Sequence, residues 1–195
     1  MERDKRRGEA DVLDKALVAH CAPTLARLKT GSLFTMFRLS DGEIAAQVAA
    51  WNICLEKKGV RLAILRRGKR GTLLYVFRPE RLAADLSRPC VAAFLKRYGY
   101  EDLTAWGAVE RLRQRLGETE EFPHEIGLFL GYPLGDVEGF IMNRGQNCKC
   151  CGCWKVYGDE EQALRRFAQY RKCQAVYLRL WQAGRSVEQL TVAAG

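Results

Sequence analysis

Apolar residues recur along this chain with two periods, and the switches between them mark the elements. From Val12 to Leu28 the spacing is helical, with Val12, Leu13, Ala16, Leu17 and His20 on one side and Pro23 interrupting the run. Ser32 to Arg38 (SLFTMFR) is β-prone and follows Gly31. Ser40, with Glu43 three residues on, has the arrangement of a capping box and starts a helix that stops at Gly59 behind Lys57 and Lys58. Val60 to Arg66 and Thr72 to Arg78 are matched strands around Arg67-Gly68-Lys69-Arg70-Gly71, the clearest hairpin in the chain.

Helices predominate after that. Pro79 opens one through Leu86, Pro89 one through Tyr98, and Glu101 to Leu116 forms a third. The pattern then predicts a helix from Pro123 to Leu130, a turn at Gly131-Tyr132 and a helix from Pro133 to Met142, together an αα-hairpin at 123–142. Trp154 to Tyr157 reads as a strand, Asp159 caps a helix to about Lys172, Gln174 to Trp181 reads as a strand, and Ser186 to Leu190 is a last helical turn. One strand, a hairpin, and further strands separated by helices predict an α+β fold: a mostly antiparallel sheet of about five strands covered by helices, rather than a doubly wound one. No repeat or linker divides the chain, so 12–195 reads as a single domain, preceded by a polar segment, 1–11, that reads as frayed.

Length and composition are those of a globular protein: 195 residues, 48% hydrophobic and 28% charged. No apolar run is long enough to cross a bilayer, and the charged N-terminus has no apolar segment behind it, so the expected location is cytoplasmic. The net charge of +9 is uneven: Lys57 to Arg81 holds nine Lys or Arg against one Glu. Arg66, Arg67, Lys69 and Arg70 at the hairpin tip could attract phosphate, but no aromatic is interleaved to stack bases, which favours a solvated tip over nucleic acid.

Several stretches carry a family likeness: HCAPTLARLKTGSLF, RPERLAADLS, EFPHEIGLFLGYPLGDVEGFI and GCWKVYGDEEQALRRFAQYRKC. Together they resemble a bacterial family of unknown function, domain-of-unknown-function family thirty-seven ninety-three, from about residue 12 to the end. The resemblance implies a single compact cytoplasmic domain. It brings no activity, substrate or functional residue with it.

Eight cysteines in a reducing compartment are thiols, metal ligands or redox groups rather than a disulfide frame. Cys54 and Cys90 are most simply small buried hydrophobes. Cys148-Lys149-Cys150-Cys151-Gly152-Cys153 is the best candidate for chemistry, because it holds two overlapping C-x-x-C spacings, 148 with 151 and 150 with 153. Such spacing lets thiolates meet one soft ion, zinc before others, and completing a tetrahedron would call on Cys173, Cys21 or His20. The same thiols could instead cycle with a disulfide, although thioredoxin-like motifs lead into a helix and this one leads into a strand. The third alternative is an exposed loop with no chemistry.

Other motifs fall short. The 123–142 pair has the outline of a helix-turn-helix, with Gly127 allowing close crossing, but Asp136 and Glu138 stand where a recognition helix needs bases' partners, which argues against DNA. His124-Glu125 lacks a second His one turn on, since Leu128 is there, so it is no zinc-protease motif. His20 and Cys21 are adjacent on a helix and point apart, which disfavours a nucleophile–base pair. Trp154, Tyr157, Tyr177 and Trp181 read as sheet packing or one wall of a pocket. The expected function is thus a binding or accessory module with a possible cysteine-based metal site. The alternatives are a cysteine-dependent redox enzyme and nucleic-acid binding through the basic hairpin.

Overall fold

The computed structural model describes the backbone of residues 2–37, 39–69, 71–118 and 122–194, with side chains from Val12 onward. The chain divides into two compact units, 1–78 with 173–195, and 79–172.

The first unit is built on a three-stranded antiparallel sheet in the order β1-β3-β2: β1 (Gly31–Met36), β2 (Arg61–Gly68) and β3 (Gly71–Phe77). Helix α1 (Glu2–Leu25) packs on β1, and α2 (Asp41–Leu55) packs on β2. The backbone of α1 takes in most of the segment expected to fray. The capping box is present: Ser40 Oγ accepts from Glu43 N, and the Glu43 carboxylate accepts from Ser40 N at 2.7 Å. After α2 a short 3-10 turn ends at Gly59 with φ 65°, the left-handed stop expected there. Leu13, Leu17, Cys21, Phe34, Ile44, Leu55, Leu62, Leu74 and Val76 form the core, closed by Val187 and Leu190 of α9 (Val187–Leu190). Ser186 caps α9 in a second capping box, with Gln189.

Two polar devices secure this unit. Pro23 lies inside α1 and has no N–H to give the carbonyl of Ala19. The side-chain amide of Gln174 donates to that carbonyl instead. Arg78, only 4% exposed, spreads its guanidinium over four backbone carbonyls. Its Nε donates to Thr24 at 2.7 Å, Nη2 to Leu25 at 2.7 Å and Val192 at 2.8 Å, and Nη1 to Lys58 at 3.1 Å. Thr24 and Leu25 end α1, where carbonyls lack helical partners and the dipole favours a cation.

The second unit is helical. α3 (Pro79–Leu86) packs against α4 (Pro89–Lys96), α5 (Ala105–Glu118) and α6 (Ile126–Phe129). α7 (Leu134–Met142) packs on the small antiparallel hairpin of β4 (Cys150–Cys151) and β5 (Lys155–Val156). α8 (Glu160–Gln182) starts at Asp159, whose Oδ1 accepts from Gln162 N at 2.9 Å.

The α+β class holds, but the expected sheet does not. Among the described residues there are three strands in one sheet and two in another. Gln174 to Trp181 is not a strand: it continues α8, because no Gly or Pro breaks the chain between Asp159 and Ala183. Inward positions run Ala163, Phe167, Tyr170, Cys173 and Tyr177, a helical period that β-prone side chains concealed. Tyr177 and Trp181 accordingly pack on the first unit's core as helix residues. The 123–142 hairpin is also shortened, since α6 is a single turn of four residues.

Candidate functional site

Phe122, His124, Ile126, Gly127, Leu130 and Tyr132 from the α6 region, Asp136, Val137 and Phe140 from α7, and Cys151, Trp154 and Lys155 from the β4–β5 hairpin line an open cavity of about 400 Å³. All of these residues lie in the second unit. The sequence places them there through small residues and one buried acid.

The glycines set the spacing. A Cβ on Gly127 would stand 2.8 Å from Val137 Cγ2, so α6 and α7 approach as closely as they do only with glycine there. A Cβ on Gly139 would stand 2.5 Å from Tyr157 Cβ, and one on Gly152 would stand 2.3 Å from Phe167 Cδ2. The hairpin is thereby seated directly on α7 and on the first half of α8.

Asp136 holds it there. This carboxylate is 3% exposed. Its Oδ2 accepts from Trp154 Nε1 at 2.7 Å, and its Oδ1 accepts from the backbone N–H of Tyr157 at 2.8 Å and of Gly158 at 2.7 Å. Charge-assisted bonds of this kind are roughly twice as strong as neutral ones. The indole so fixed stacks on Tyr132 with centroids 4.7 Å apart and meets the edge of Phe167 at 4.5 Å. Tyr132 in turn donates from its hydroxyl to the Cys153 carbonyl at 3.2 Å. A second buried acid, Glu125, braces the start of α6. It accepts from Arg115 Nε at 3.0 Å and from the Tyr100 hydroxyl at 3.3 Å.

The polar groups facing the cavity are few. Lys155 Nζ donates to the Gly145 carbonyl at 2.6 Å and lies 5.9 Å from the centroid of Phe140. His124, on the turn before α6, meets the same ring edge-on at 4.8 Å. Asp136 is engaged at both oxygens, so the groups left to meet a ligand are cationic or neutral donors.

The cysteines are distributed rather than gathered. The ladder pairs Cys150 with Val156 and Cys151 with Lys155, so neighbouring thiols leave opposite faces of the hairpin. Cys151 joins the cavity wall with Lys155. Partial burial, and the Glu160 carboxylate beside it, push the Cys150 thiol up. Cys148 lies near Cys150 and Tyr157, whereas Cys153 lies near Tyr132 and Tyr170. His20, Cys21 and Cys173 belong to the first unit. His20 stacks on Phe34 at 5.4 Å, Cys21 is fully buried in the core, where burial pushes its thiol up, and burial pushes Cys173 up to about 11. Among the described residues no three His, Cys, Asp or Glu side chains are grouped to hold a metal ion. Cys90, expected to be buried, is exposed, because α4 turns Val91, Phe94 and Leu95 inward instead.

These environments order the thiols by reactivity, since attack needs an accessible thiolate. In native protein near neutral pH, Cys90, Cys151 and Cys153 are expected to react first in a thiol titration, and Cys21 and Cys173 only after denaturation. Mass-mapped labelling checks this, and prompt labelling of Cys21 would contradict the packing of α1.

The GYPLGD and WKVYGD segments are thus one structural unit, in which Asp136 of the first holds the indole and backbone of the second. A family model matches residues 17–191 of the chain. The protein belongs to the DUF3793 family, proteins of unknown function. No curated protein and no solved structure matches it significantly. Within this DUF3793 chain, the residues that periodicity did not single out are Tyr132, Phe140 and Lys155, and Asp136 was noticed only as a charge unsuited to DNA. The one signal pointing to them was the density of Gly and aromatic residues between 122 and 158.

Proposed function

We propose that this protein is a small-molecule binding module whose site is the aromatic cavity between α6, α7 and the β4–β5 hairpin. What supports the reading is the combination of volume and lining. About 400 Å³ falls within the usual range for ligand sites, and the wall is apolar with a few placed polar groups, as such sites are. Stacked Tyr132 and Trp154, with Phe140 also in the wall, favour a flat apolar body. Lys155 and His124 favour an acidic group on it. The ligand class is therefore an aromatic or similarly flat carboxylic acid.

Naphthoate and indole carboxylate, titrated into the whole protein and followed by tryptophan fluorescence and by melting temperature, test this. Both are expected to bind and to raise the melting temperature. Lys155→Met is expected to weaken the acids about tenfold, the scale of one charged hydrogen bond, while leaving neutral naphthalene unchanged. If neither acid binds at millimolar concentration, or if Leu130→Trp, which fills the cavity, leaves affinity unaltered, the site is not this one.

A further inference from the structure

The basic hairpin has no aromatic within its own sequence, yet the fold brings one to it from another strand. β1 pairs with β3 so that Met36 lies opposite Thr72, and β2 pairs with β3 so that Arg67 lies opposite the same Thr72 and Gly68 opposite Gly71. Phe37, one residue past β1, is therefore delivered to the hairpin turn. Its Cδ1 stands 3.0 Å from where a Cβ on Gly71 would be. Gly71 has φ 99° and no side chain, so the backbone itself supports the ring. The outer side is open: Phe37 is 73% exposed.

This end of the sheet is rich in cations. Arg66, Arg67 and Lys69 are all exposed. Arg66 and Lys69 have no ion-pair partner among the described residues, and Arg67 Nε lies 3.9 Å from Asp41 Oδ1. Asp41 also accepts from Thr72 Oγ1 at 2.9 Å, so it holds Arg67 in place and offsets one of the three cations. Arg38 and Arg70 lie outside the described residues.

We propose that this end of the sheet binds single-stranded nucleic acid, with one unpaired base stacked on Phe37 and neighbouring phosphates held by Arg66, Arg67 and Lys69. An aromatic platform amid cations is how sequence-tolerant single-strand binders work, because every base has a π-face and every nucleotide a charge. A duplex offers no unstacked base to the ring. An anionic membrane is the less fitting partner, since interfacial docking needs a broad apolar face and one phenylalanine lying on a glycine is not one.

The test is fluorescence anisotropy of labelled oligouridylate and oligothymidylate with the whole protein. Both are expected to bind at low salt and to weaken steeply as salt rises. Phe37→Ala, which removes only an exposed ring and is checked for folding by circular dichroism, is expected to lower affinity roughly five- to a hundredfold. Phe37→Trp is expected to restore it. Arg66→Gln with Lys69→Gln is expected to flatten the logarithmic salt dependence by about 1.4, two phosphate contacts on a single strand. No binding at low salt overturns the proposal, as does unchanged affinity in Phe37→Ala, equal affinity for duplex, or binding to phosphatidylserine vesicles in place of oligonucleotide.

Discussion

Asp136→Asn is expected to destabilise the 79–172 unit by about 2–3 kcal/mol, the range for losing a hydrogen bond to a charged group and leaving its buried donor unsatisfied. The carboxylate serves three donors with two oxygens. Asparagine keeps one oxygen, which can still accept from Tyr157 and Gly158. Its amide nitrogen then faces Trp154 Nε1, donor against donor, in a place where neither reaches water. Asp136→Ala loses all three bonds and leaves a void as well, so it is expected to fall at least as far. Denaturant unfolding followed by tryptophan fluorescence measures the change. Loss of ligand binding should precede loss of helical signal in both variants, because the hairpin leaves α7 before the helices melt. A cost below about 1 kcal/mol, the worth of an ordinary neutral hydrogen bond, would mean that the hairpin is held by its glycine contacts alone.

Arg78→Met is expected to cost the first unit a similar amount, about 3 kcal/mol, the upper end for losing hydrogen bonds to a charged group. Methionine fills much of the volume, so the loss isolates the hydrogen bonds. The four carbonyls come from the end of α1, the turn after α2 and the C-terminal segment at Val192. With the guanidinium gone, the Lys58 and Val192 carbonyls lose their donor, while Thr24 and Leu25 keep only the backbone N–H of Arg27 and of Val192. Arg78→Lys is expected to be nearly as damaging, since an ammonium is a point charge that cannot reach carbonyls around a planar fork. Thermal unfolding of the two variants beside the unaltered protein is the check. If Arg78→Lys were as stable as the original, charge at that spot would matter and the forked geometry would not.

These two residues mark where the sequence was legible and where it stopped being so. Local chemistry was readable: the Ser40 capping box, the glycine after α2, the prolines opening α3 and α4, and the β2–β3 hairpin follow from contacts a few residues apart. Gln174 to Trp181 misled because Ala-Val-Tyr-Leu is β-prone by composition, and the helical period emerges only when counting starts at Ala163. Arg78 looked like one more cation of a basic stretch, yet its partners lie up to 114 residues away. Asp136 likewise finds its donors 18 to 22 residues on, across a loop that no periodicity spans. Long-range polar pairing has no repeat in the chain to reveal it. The cysteine spacing was legible as a pattern, but the two-residue strand β4 turns alternate thiols to opposite sides, which spacing alone does not show.

Phe37 belongs to the same class of hidden neighbours. It is distant from the basic tip in sequence, and only the β1–β3 register joins them.

The proposed ligand enters the cavity walled by Trp154. The indole N–H of Trp154 reports on it most directly, because it is buried, bonded to Asp136 and at the edge of the cavity. In a nitrogen–proton correlation spectrum of the whole protein, assigned by Trp154→Phe, naphthoate should shift this signal in a saturable way while those of Trp51, Trp106 and Trp181 hold still. Saturable binding that moves one of the other three indoles and leaves Trp154 unmoved would contradict the account.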